Sequence, residues 1–297
     1  LHTTIDLIES DFCARRSRPP DVAAAFALAF APIEAGAPGD ACLAHLSAMG
    51  RAVAVAIDAL ANGRTEPAYH NRHHMAETTL AMGMLCRLAL EQGLISRSEA
   101  AIGVVAMAAH DMGHDGSMPA AGVLERRARD AAAPLAAQAG VGAAAFQALG
   151  DVIMATDATQ YAQNAGRLAG RLPPGPMGRG QDALRALANE ADICGSLLPR
   201  LGPVLSRALA AEWRACGNAA LDEAGTASSR LAFLQRCPPL SGPAVALGLD
   251  QARRRCFDVW TLAGQALGAE ATPEAGCAAL DRLDPAVAAA LYEQIAG

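Results

Sequence analysis

Apolar residues along this chain recur in steps of three and four, the spacing that lays one stripe along an α-helix. Over residues 40–62 that stripe is Leu43, Leu46, Met49, Val53, Ile57 and Leu60, with Asp40 placed to cap the start and Gly63 to stop the end. The stretch RTEPAYHNRHHMAETTLAMGMLCRLALEQG then predicts a loop to about Ala68 and a helix ending at Gly93. Ser96 to Glu99 (SRSE) is a capping box, whose hydroxyl and carboxylate each satisfy a backbone N–H. It opens an apolar helix through Val104, Val105 and Met107 that delivers His110 and Asp111 at its C-terminal end. Further helices are expected at about 119–139, 143–161, 181–198, 202–216, 228–236 and 244–268. Thr272 before Pro273 and Asp284 before Pro285 mark two more helix starts. The run AGRLAGRLPPGPMGRG, residues 165–180, reads as a mobile surface loop. There is no alternating segment of any length and no repeat, so the pattern predicts one continuous all-α domain. Its subregions are an N-terminal helical part (1–64) packed on the core, a central region (65–268) and C-terminal helices (269–297).

Composition agrees with that pattern. Of 297 residues, 52% are hydrophobic, 4% aromatic and 18% charged, with Ala and Leu favouring helix. The formal net charge of −6 offers no basic footprint for nucleic acid. It does not exclude an anionic substrate, because bound divalent cations invert the local field. The eight cysteines are scattered without a CxxC pair, as expected of reduced thiols rather than a disulfide framework. The apolar stretches Val22–Ala31 and Ala100–Ala109 are too short to span a bilayer, and the start carries no signal-peptide pattern. The expectation is a cytoplasmic protein without a membrane partner.

The chemistry concentrates in the histidines. Five of the seven lie in two short stretches, YHNRHH (Tyr69–His74) and HDMGHDG (His110–Gly116). His70 and His74 are four apart, which on a helix places them on one face, and His114 lies four beyond His110, which adjoins Asp111. His73 is one step round the helix and reads as plain surface. Imidazole and carboxylate together suit Zn, Mn, Fe or Mg. A His-Asp doublet has a specific use in a two-metal site, because the carboxylate can bridge two cations that share an activated water. No HExxH occurs, which excludes the zincin arrangement. Asp192 sits in an apolar helix (ALANEADICGSL) where an unpaired carboxylate would be costly to bury, and metal coordination would explain it.

In order along the chain, YHNRHHMAE, HDMGHDG, ATDATQY and NEADICGSL resemble the motifs of HD-type metal-dependent phosphohydrolases. Within them, the chain is similar to the class I 3′,5′-cyclic-nucleotide phosphodiesterase catalytic domain over roughly residues 65–236. The resemblance implies an all-α HD/PDEase-type domain with its metal site in a helix-lined pocket. It implies His74, His110, Asp111 and Asp192 as ligands of a first metal (Zn, Fe or Mn), and Asp111 as the bridge to a second (Mg or Mn). A metal-bridging hydroxide would attack phosphorus, with His70 as general acid and His114 just outside the ligand set, near the phosphate. Tyr69, Asn71, Glu125, Thr156, Asp157, Arg230 and Phe233 would line the pocket or support the metals.

Several positions depart from that family's pattern. Arg230 stands three residues before the aromatic Phe233, where the family has Gln. A guanidinium only donates, whereas an amide both donates to and accepts from a purine edge. Asp115 replaces a proline, Arg126 and Arg127 follow Glu125 in place of Asn-His, and Tyr161 ends the TD stretch in place of His. The expected activity is hydrolysis of cAMP or cGMP to the 5′-monophosphate, in a chain able to form a homodimer. Two alternatives stay open: a related phosphohydrolase for another nucleotide or phosphate ester, and a metal-bound sensing or scaffold module without turnover.

Overall fold

Sixteen α-helices and no strand form among the residues that the computed structural model describes, 3–168, 178–217 and 225–297. In chain order they are α1 (Thr4–Arg16), α2 (Val22–Ala35), α3 (Ala41–Ala61), α4 (Arg72–Glu91), α5 (Arg97–Ala109), α6 (Val123–Gln138), α7 (Ala143–Ala155) and α8 (Tyr161–Leu168). There follow α9 (Gln181–Asp192), α10 (Cys194–Leu197), α11 (Leu201–Ala215), α12 (Ala227–Arg236), α13 (Gly242–Leu247), α14 (Leu249–Ala266), α15 (Pro273–Leu280) and α16 (Pro285–Ala296). The predicted caps form: Asp40, Ser96, Thr272 and Asp284 each accept a hydrogen bond from a backbone N–H of the helix they open, and the Ser96–Glu99 box is complete.

The differences from the pattern have local causes. The helix expected over 143–161 stops at Ala155, where Thr156 Oγ1 donates to the Ile153 carbonyl at 2.7 Å and Asp157 caps a short 3₁₀ turn, Ala158–Gln160. The chain then resumes as α8, so residues 165–168 are helical, while 169–177 of the expected loop lie outside the described residues. The helix expected over 244–268 is broken at Gly248, whose φ of +94° suits glycine and ends one helix before the next begins. Residues 181–198 likewise divide at Ile193. Helices α1 and α2 were not anticipated from the sequence, although their buried residues also step by three and four: Ile5, Ile8 and Phe12 in α1, and Val22, Ala25, Phe26, Ala29, Phe30 and Ile33 in α2.

The chain clusters into two compact units that interleave in sequence. One holds residues 15–194 and 240–247, so the expected N-terminal subregion from residue 15 onward groups with the histidine-bearing helices. Its centre is α5, buried from Ala100 to Ala109 and packed on α2, α3, α4, α7 and α9. Small residues allow close crossing: a Cβ on Gly83 of α4 would meet Ala29 Cα of α2 at 2.8 Å. Helix α3 is long and apolar enough to cross a membrane by length and composition, unlike the two stretches singled out from sequence. Here its stripe of Leu43, Leu46, Met49, Val53 and Ile57 is buried inside the unit.

The other unit comprises the described residues of 1–14, 195–239 and 248–297. It is centred on α14, against which α15 and α16 pack. Gly276 of α15 crosses so near that a Cβ there would overlap the Trp260 carbonyl oxygen. Glu9 accepts from the backbone N–H groups of Arg200 (2.7 Å) and Leu201 (2.9 Å), satisfying the start of α11.

Candidate metal centre

Three helix ends deliver the predicted ligands to one place. His74 stands in the first turn of α4. His110 and Asp111 follow the last turn of α5, and Asp192 is the last residue of α9. Asn71 fixes the first of these: its Oδ1 accepts from the N–H groups of His73 and His74, while its Nδ2 donates to the carbonyls of Ala68 and Pro67. His70 therefore sits in the turn before the helix rather than on its face as the spacing suggested. It still approaches His74, with ring centroids 5.6 Å apart. Between Asp111 and His114, Gly113 takes a φ of +81°, which lets the chain reverse directly after the doublet.

His74 Nε2 lies 3.3 Å from Asp111 Oδ2 and 3.0 Å from Asp192 Oδ1; His110 Nε2 lies 3.2 Å and 3.5 Å from the same two oxygens. These are ion-pair distances, yet His74 Nε2, His110 Nε2 and Asp111 Oδ2 are buried without a partner in hydrogen-bond geometry. The atoms converge on a shared centre instead of pointing at one another. Four donors each about 2.1 Å from one cation would lie about 3.0–3.4 Å apart at right or tetrahedral angles, so the set fits a divalent metal. His110 Nδ1 is 2.7 Å from the Met107 carbonyl, which can only accept, so Nδ1 carries the hydrogen and Nε2 is left to coordinate.

Electrostatics point the same way. Burial alone would lower His74, but Asp111 and Asp192 lift it to about 9, and they raise His110 well above its usual range against the same burial. Burial would raise both carboxylates, but the imidazoles hold Asp111 and Asp192 well below the ordinary range. The pocket thus holds its acids ionised, and protons on its histidines are what a cation would replace.

Asp111 belongs to a second group as well. Ligand atoms of His70, Asp111 and His114 lie within 4.8 Å of one another. The rings of His70 and His114 stack at 3.9 Å with a 16° interplanar angle. His114 Nδ1 accepts from the Gly116 N–H at 2.9 Å, which places the hydrogen of the neutral ring on Nε2. Tyr69, buried, packs its ring at 4.7 Å from both His70 and His74. Glu125, in the first turn of α6, is pushed up by burial and then by the charges of Asp157 and Asp111. Asp157 meanwhile accepts from the N–H and hydroxyl of Thr159. A cleft of about 300 Å³ borders this side, between His70, Asp111 and His114 and the Ile57–Ala61 end of α3, with Arg64 at its edge.

The remaining predicted residues play other parts. Asp115 and Arg127, two departures from the family pattern, pair with each other at 2.7 Å. Arg230 is neither a solvated helix residue nor an exposed anion contact. It is buried, donating from Nη1 to the Ser196 carbonyl and from Nη2 to the Leu198 carbonyl, with its guanidinium over the Trp260 ring. Phe233, on the same helix, is half-buried.

Sequence reasoning passed over two buried carboxylates near the centre. Glu77, one turn beyond His74, takes Arg16 in a two-pronged contact at 2.6 and 2.7 Å. Glu190, two residues before Asp192, accepts from the N–H groups of Leu240 and Ser241 and from the Ser241 hydroxyl. The only signal was a charge on an otherwise apolar helix face, the same signal that singled out Asp192.

The chain's arrangement matches solved structures. LmjPDEB1 in complex with IBMX superposes with a TM-score of 0.61 at 14% identity, over 82% of this chain and 87% of that one. The phosphodiesterase domain of the RhoPDE fusion protein from the choanoflagellate Salpingoeca rosetta gives 0.57 at 14% identity, over 93% and 91%. The fold is phosphodiesterase-like. No protein-family model and no curated protein matches the sequence. The phosphodiesterase-like fold is therefore carried by helix arrangement.

Proposed function

We propose that the protein is a divalent-metal-dependent phosphodiesterase that opens 3′,5′-cyclic nucleotides to 5′-monophosphates. The observation that carries this reading is the convergence of His74, His110, Asp111 and Asp192 at 3.0–3.5 Å without hydrogen-bond geometry. Divalent cations bound there supply Lewis acidity toward a phosphoryl oxygen and an activated water. His74, His110, Asp111 and Asp192 would hold the first cation, and Asp111, common to both donor groups, would face the second. Glu125 and Asp157 add negative charge on that side.

His70 would donate the proton to the departing ester oxygen, a role imidazole suits near neutral pH. Its ring is held between Tyr69 and His114. His114, with its hydrogen on Nε2, would donate a hydrogen bond to the phosphate. The test is elemental analysis of the purified protein together with cAMP and cGMP hydrolysis in Mn or Mg. Metal-loaded protein that turns over neither nucleotide would overturn the reading.

A second reading, hydrolysis of another phosphodiester, is favoured by Arg230. Its guanidinium is engaged by two carbonyls, so the position where the family has a base-reading Gln makes no such contact here. Hydrolysis of bis(p-nitrophenyl) phosphate without cyclic-nucleotide turnover would select this reading.

A further inference from the structure

A cleft of about 390 Å³ within the unit centred on α14 shares no residue with the metal centre. That volume is within the range that holds small-molecule ligands. One wall is a single face of α11. Arg200, which caps the helix, and Arg207 and Arg214 recur at intervals of seven, so they lie in one row with successive members on the order of 10 Å apart. Ser206 and Ala210 fill the row between them. The facing wall is apolar: Leu280 and Leu283, then Ala288 and Ala289 of α16, whose small side chains leave the space open.

Two carboxylates border the cleft. Asp281 is engaged, accepting from the N–H groups of Ala227 and Ser228 at the start of α12, and the second is Glu293. Arg200 faces Glu9 at 3.7 Å, so the positive charge that this wall offers in a chain of net charge −6 is centred on Arg207. At its edge Arg230, 3% exposed, leaves its Nε–H without an acceptor. Among the described residues lining the cleft, no aromatic face is offered for stacking, since Trp260 and Tyr292 are 1% and 6% exposed. That argues against a nucleobase and for an aliphatic chain.

We propose that this cleft binds a single-chain anionic amphiphile, an acyl or alkyl chain with a carboxylate or phosphate head. The chain would lie along Leu280, Leu283, Ala288 and Ala289, and the head would meet Arg207, which a guanidinium can hold through two parallel hydrogen bonds. A carboxylate head denotes a fatty acid and a phosphate head a phosphorylated alcohol; both share the chemistry that the cleft recognises.

The test is calorimetric titration of the full chain with dodecanoate, dodecyl phosphate and dodecanol, each below its micellar concentration. At least one of the two anions should bind with micromolar affinity, and the better-bound one identifies the head group. Dodecanol should bind at least tenfold more weakly. Arg207→Glu, an exposed change, should weaken anion binding at least tenfold while leaving phosphodiester turnover and the melting temperature unchanged. Ala289→Trp should block the cleft to all three probes. Equal binding of dodecanol, no effect of Arg207→Glu, or no binding of either anion would overturn the proposal. So would a dimer that Arg207→Glu converts to monomer, which would assign the cleft to a second copy of the chain.

Discussion

His74 carries the sharpest residue-level consequence of the converging donors. Its folded pKa of about 9 is above the value near 6.5 expected of an unfolded chain. In metal-free protein its charged form therefore stabilises the fold fully below about pH 6.5, and that contribution is lost as pH rises through about 9. Thermal melting of chelated protein should show this loss across pH 6.5–9, and saturating Zn or Mn should remove it. Because coordination needs neutral imidazole, metal binding at pH 7 should release protons. Calorimetry in buffers of different ionisation heat would read about one proton or more per cation, and none would contradict the site. Two substitutions separate holding from proton transfer. Asp192→Asn should strip the first metal, as elemental analysis would show. His70→Ala should keep that metal and lower turnover by about 10²-fold or more, the usual scale for a lost general acid.

At the scale of helices, the site depends on residues that touch no candidate ligand atom. Glu190 ties the end of α9, which carries Asp192, to the start of α13. Glu190→Ala would leave those N–H groups unsatisfied in a buried setting, a loss of about 3 kcal/mol. It should lower the melting temperature by several degrees and weaken metal binding with it. A melting curve and metal content unchanged from wild type would remove Glu190 from this role. Gly202 plays a comparable part for α12: a Cβ there would meet the Arg230 guanidinium at 2.3–2.5 Å. Gly202→Ala should therefore destabilise by about 1–3 kcal/mol, the range for overpacking, measurable by denaturant titration.

These residues also show what the sequence discloses. Stripes, caps and the His-Asp doublet are local, so α3, α4, α5 and the starts of α15 and α16 were legible, as were the four residues that converge. The breaks at Ala155 and Gly248 were not, because period alone does not register a side chain turning back on its own helix or one glycine changing sign of φ. The burial of Arg230, expected only as a pocket residue, was not legible because its acceptors, Ser196 and Leu198, lie more than thirty residues away. Glu77 and Glu190 were missed for the same reason, since a buried carboxylate is recognised by partners that only the fold supplies.

For the molecule as a whole, an acidic chain is expected to handle an acidic substrate. The placement of His110, Asp111 and Asp192 at the C-terminal ends of α5 and α9 sharpens that demand. Peptide dipoles in both helices point their negative ends into the pocket, each equivalent to about half an elementary charge, while the N-terminal end of α4, which carries His74, brings a positive end of the same size. In metal-free protein the protons on His74 and His110 offset the two carboxylates, and a divalent cation that displaces those protons would supply the positive charge that an anion meets. Under the proposed function, a bound cation would therefore strengthen the binding of the anion. A chelated sample titrated with orthovanadate or inorganic phosphate should give no heat at this pocket, and the same titration after adding Mn should. The two helix C-termini would thereby serve the cation, and the cation in turn the anion.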